Sequence, residues 1–109
     1  MYEIKSKTVN IEGHAVDLFK REVYSANVLE VTAGTNGLQG GDSGHGSRTF
    51  FRIRDLGGTD IQTKVLKDEY GNEVGFQVVL GGDCELDTFI KCLKFAVKVL
   101  EDQMKKEDE

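Results

Sequence analysis

Residues 73–105 read EVGFQVVLGGDCELDTFIKCLKFAVKVLEDQMK, and the hydrophobic period changes in the middle of that stretch. Over Glu73–Leu80 the period is two: Val74, Phe76, Val78 and Leu80 fall on one face, as in a half-buried strand. Beyond Gly81-Gly82-Asp83 the spacing becomes three and four. Leu86, Phe89, Ile90, Leu93, Ala96, Val97, Leu100 and Met104 then make Glu85–Lys105 an amphipathic helix. Asp83, just ahead of it, can accept hydrogen bonds from the first free backbone N–H groups, and Glu85 and Asp87 suit the positive end of the helix dipole. The tail Glu107-Asp108-Glu109 opposes that dipole at the other end, so its residues are expected to fray.

Upstream the period of two continues. The run Asp68-Glu69-Tyr70-Gly71-Asn72 carries turn chemistry, which makes Ile61–Leu66 and Glu73–Leu80 the arms of a hairpin; Gly57-Gly58 supplies the turn before it. Phe51 and Ile53 alternate on the strand Arg48–Leu56, and Leu29, Val31 and Ala33 alternate on the strand before it. Nearer the start, Tyr2–Ile11 alternates and Gly13 can turn the chain, while Ala15–Phe19 fits either a second arm or one turn of helix. These elements describe a single α+β domain over 1–109, a mostly antiparallel sheet of four to six strands packed on one long C-terminal helix. If the sheet is a simple meander, the loop 34–47 and the turn 68–72 share one edge, and Gly57-Gly58 and Gly81–Asp83 share the other.

A chain of 109 residues is one domain's worth, and 14 Lys and Arg against 19 Asp and Glu leave a net charge of −5. No apolar run approaches the roughly 20 residues that cross a bilayer, and the first residues carry no secretory pattern, so a cytoplasmic protein without a membrane partner is expected. Cys84 and Cys92 are eight residues apart on the helix, about 12 Å along its axis, too far for a disulfide; they are read as thiols. The acidic balance disfavours nucleic acid as a partner, and Arg48, Arg52 and Arg54 form the one basic strip this reading finds. Glu30 and Thr32, on the neighbouring strand's polar face, are expected to pair with those arginines.

The composition is most unusual in holding 13 glycines and no proline, and six of the glycines lie in one stretch, 34–47. A plain hairpin loop needs two to five residues, whereas this one is far longer and gathers Asp42, Ser43, His45 and Ser47 among its glycines, with Arg48 opening the next strand. Glycine lets backbone N–H groups converge on one point, and an arginine adds a bidentate donor. Gly40, Gly41, Asp42, Ser43, Gly44, His45 and Arg48 are therefore the candidate binding residues for a small anionic ligand or a protein partner.

Within that loop, Gly41-Asp42-Ser43-Gly44 resembles the sequence around the nucleophilic serine of trypsin-like proteases, which would cast Ser43 as nucleophile. The match covers four residues, and His45 stands where that family has glycine. The chain has no second domain to bring in a base and an orienting acid, so the family is not assigned. The alternative is a small hydrolase, metal-assisted, in which Asp42 and His45 hold the ion or His45 acts as base, Arg48 stabilises developing charge, and Asp68 and Glu69 are the carboxylates within reach. No cofactor is required by the sequence and none can be named. The leading expectation is a binding or interaction module rather than an enzyme, and a third reading is a homo-oligomer through the open sheet face.

Overall fold

The computed structural model of the protein describes residues 4–24, 28–41, 46–57 and 61–105. Six strands precede one helix: β1 (Lys5–Ile11), β2 (His14–Tyr24), β3 (Val28–Thr35), β4 (Thr49–Asp55), β5 (Ile61–Lys67), β6 (Glu73–Leu80) and α1 (Asp83–Lys105). The α+β arrangement read from the sequence is the one observed. The ambiguous stretch after Gly13 is a long strand rather than a turn of helix. Its backbone groups are taken up on both edges, by β1 on one side and β3 on the other. Glu12 and Gly13 both have positive φ, 52° and 88°, the geometry that lets a two-residue turn follow the right-handed twist of its strands.

The first four strands form an antiparallel sheet in the order β1-β2-β3-β4, and β5-β6 form a separate two-stranded sheet. The single meander is therefore corrected: the main sheet's ladder closes with Leu56 N–H donating to the Val28 carbonyl, and Asp55 Oδ1 then accepts from Gly57 N–H and turns the chain away. The loop 34–47 and the turn 68–72 thus belong to different sheets and do not share an edge. In the hairpin, Asp68 caps its own turn, its Oδ1 accepting from the backbone N–H groups of Tyr70 and Asn72. Those backbone bonds hold its carboxyl below the ordinary range.

The helix packs on β3 and, to a lesser degree, on β2. Val23, Leu29, Val31 and Ala33 from the sheet meet Cys92 and Ala96, with Ile53, Leu80, Phe89, Phe95, Val99 and Leu100 around them. Thr88, Cys92 and Ala96 are small, so the helix axis lies close over the sheet; Thr88 also satisfies its hydroxyl by donating to the Cys84 carbonyl one turn back. Leu86 N–H donates to the carbonyl of Gly82, so the helix begins at Asp83, two residues earlier than Glu85. The apolar stripe seen in the sequence is wider than the packed face: Leu86, Ile90, Leu93, Val97 and Met104 lie outside the core and are exposed. The hairpin departs from expectation in the same direction. Val65, Val74 and Phe76 are exposed rather than half-buried, and Leu80 alone of the β6 apolar row packs against the core. No helix is long and apolar enough to cross a membrane among the described residues.

Candidate functional site

The loop 34–47 leaves β3 through a tightly packed position. A Cβ on Gly34 would lie 2.2 Å from the Asp17 carbonyl oxygen on β2, so the strands approach there as only glycine permits. Next to it, Gln103 of α1 bridges both strands: its Oε1 accepts from Thr35 N–H at 2.9 Å and its Nε2 donates to the Asp17 carbonyl at 2.9 Å. Both ends of the loop are then pinned. Asn36 Oδ1 accepts from Arg48 N–H at 2.8 Å, the Asn36 N–H donates to the Arg48 carbonyl, and Gly37 N–H donates to the Thr35 hydroxyl. Gly37 and Gly40 have φ of 82° and 79°, conformations that an L side chain rarely adopts.

Arg48 is the one charged candidate of the loop that the structure describes. Its Nε donates to Glu12 Oε1 at 2.7 Å, and its Nη1 donates to the carbonyls of Gly46 and Ser47. The guanidinium thus fastens the returning arm of the loop to the β1–β2 turn. Gly40 and Gly41 are exposed at the end of the outgoing arm. Asp42, Ser43, Gly44 and His45 lie outside the described residues, and with them the ligand pair of the metal reading. Among the described residues no group of three or more His, Cys, Asp or Glu could hold a metal ion.

The cross-strand register places a second set of residues beside this loop. Lys5 pairs with Lys20, Lys20 with Thr32, and Thr32 with Arg52, so these four form one transverse row on the sheet face away from the helix. Lys7, Leu18, Gly34 and Phe50 make the adjacent row on the side of the loop. Like charges directly opposite each other, as Lys5 and Lys20 are, destabilise a sheet. A cavity of about 240 Å³ lies here, lined by Lys5, Lys7, Leu18, Lys20, Thr32 and Arg52. Thr32 is 3% exposed, and its hydroxyl has no hydrogen-bond partner among the described residues. The guanidinium of Arg52 stands 5.5 Å from the centre of the Phe50 ring, which orients it without neutralising it.

The next row carries the expected Glu–Arg pair. Glu30, 4% exposed, accepts from Arg54 Nε at 2.9 Å and has Lys20 Nζ at 3.8 Å. Glu30 therefore offsets Arg54 and part of Lys20, while Lys5, Lys7 and Arg52 have no ion pair among the described residues. Of this constellation the sequence reading named only the arginines, Glu30 and Thr32. The spacing of Lys5 and Lys7 by two was legible, but Lys20 joined them only once the length of β2 was known.

The two cysteines are free; Cys84 is exposed and Cys92 is buried, its thiol pushed up to about 11 by burial, so Cys92 is part of the packing rather than a reactive group. Set against protein-family models, characterised proteins and solved structures, the chain has no match in any of the three.

Proposed function

We propose that the protein is a small binding module whose ligand is an anion of the phosphate or carboxylate class, held on the open face of the four-stranded sheet with the glycine-rich loop 34–47 at its rim. The single observation that carries this reading is the Thr32 hydroxyl, buried without a partner in the middle of a row that holds Lys5, Lys20 and Arg52. A buried hydroxyl left unpaired costs about 1–3 kcal/mol, and unrelieved cross-strand repulsion adds to that. An anion relieves both, accepting from the hydroxyl and from the flanking cations. In this reading the loop candidates Gly40, Gly41, Asp42, Ser43, Gly44 and His45 are further contacts of the ligand, and Arg48 holds the returning arm of the loop through Glu12.

Titration of the protein with inorganic pyrophosphate tests the proposal, followed by backbone amide shifts and by calorimetry. Binding should shift the amides of Lys5, Lys7, Lys20, Thr32 and Arg52 and weaken as salt is raised. Arg52→Met and Lys20→Met should each lower affinity by about tenfold, the loss expected for one charge-assisted hydrogen bond. Absence of any shift on this face at millimolar pyrophosphate, or wild-type affinity in both variants, overturns the reading.

A further inference from the structure

One flank of α1 carries an apolar seam that the fold leaves largely exposed. Leu86, Ile90, Leu93, Val97, Leu100 and Met104 are spaced four, three, four, three and four, the a/d repeat of a helix that packs against another helix. Leu100 lies at the edge of the core, while the other five are exposed, with Val97 at 52% and Leu86 at 59%. The sheet takes the adjoining face of the helix through Thr88, Cys92, Ala96 and Gln103, so the seam is an apolar flank that continues from the packed face past Leu100.

We infer that this seam is covered by a second copy of the same chain, helix against helix, in a two-fold symmetric dimer. The flanking charges favour self-association over a foreign helix. Lys94 and Glu101 follow the seam on one side a heptad apart, so in an antiparallel pair each Lys94 meets the partner's Glu101, twice by symmetry. The β5-β6 hairpin points the same way: a two-stranded sheet is marginal alone, and Val65 and Phe76, directly opposed on one face, are 52% and 63% exposed. This inference is independent of the anion proposal, because the open sheet face is charged and the seam is not.

Sedimentation velocity on the full chain tests it. The wild-type protein should run at about 24 kDa, twice its 12.1 kDa mass, at micromolar concentration. Val97→Glu should run as a monomer with an unchanged far-UV circular dichroism spectrum, since Val97 is not part of the core. Ile90→Ala/Val97→Ala keeps the helix, alanine being the best helix former, and should raise the dimer dissociation constant at least tenfold. A wild-type mass of about 12 kDa at the highest soluble concentration, or a dimer that survives the double alanine variant with unchanged dissociation constant, overturns the inference.

Discussion

Gln103→Met should loosen the junction of helix, β2 and β3 without altering its volume. The native amide makes two bonds in one place, accepting from Thr35 N–H and donating to the Asp17 carbonyl. Methionine keeps the length of the side chain and removes both. Thr35 is buried, so its N–H loses its partner with little access to water and incurs most of the roughly 1–3 kcal/mol penalty for an orphaned group; the Asp17 carbonyl, only part-buried, incurs less. The sum is about 2–3 kcal/mol, a large fraction of the roughly 5–15 kcal/mol that holds a domain of this size folded. In urea the midpoint should fall while the slope stays constant, because no new surface is exposed. The melting temperature should fall by about 10 °C at the same protein concentration. Hydrogen exchange gives the site-specific check: the Thr35 amide should lose protection in the variant. A stability within about 0.5 kcal/mol of wild type, the range of an ordinary surface substitution, would refute the assignment of Gln103 as the bridge.

Two further outcomes follow from the same packing. Gly34→Ala should destabilise the protein by at least about 1–3 kcal/mol in equilibrium denaturation, because its Cβ would meet the Asp17 carbonyl oxygen at 2.2 Å and Leu18 Cδ2 at 2.7 Å, and wild-type stability in that variant would show that β2 and β3 can part without cost. Iodoacetamide at mildly alkaline pH should label exposed Cys84 and spare buried Cys92 until the chain unfolds. Because burial raises the Cys92 thiol from 9.0 to about 11, the folded state keeps that proton longer than the unfolded chain. The associated stability is complete below pH 9 and is lost as pH rises toward 11, and equal labelling of the two thiols in the native protein would contradict this.

Most elements were legible because each announces its own period; β2 was not, since Ala15–Phe19 fits a strand or a turn of helix equally well. Residues 73–80 and 85–105 are told apart by spacing alone, and Asp68, Gly71 and Asn72 form the turn that their side chains imply. The candidate site was legible only in part. The loop 34–47 stands out by its glycines, and the described part of it is pinned at both ends, with Arg48 holding Glu12. What no local pattern reveals is which residues register opposes: Lys5, Lys20, Thr32 and Arg52 come from four strands and become neighbours only through three successive strand pairings. Gln103 was invisible for a similar reason. A polar residue on an amphipathic helix reads as solvent-facing, and only the approach of β2 and β3 at Gly34 creates two backbone groups for it to satisfy.

The sequence by itself determined the fold class, the order of the elements from β3 to α1 and the place of the unusual loop, since these rest on periodicity and turn chemistry within a few residues. Tertiary structure decided the rest. It split the six strands into a sheet of four and a hairpin of two, because strand pairing depends on the path between strands as much as on the strands. It also divided one broad apolar stripe on α1 into a packed part and an exposed flank. The sheet accepts the side lined by small residues, where the helix can approach closely, and the larger Leu86, Ile90, Leu93, Val97 and Met104 are left outward.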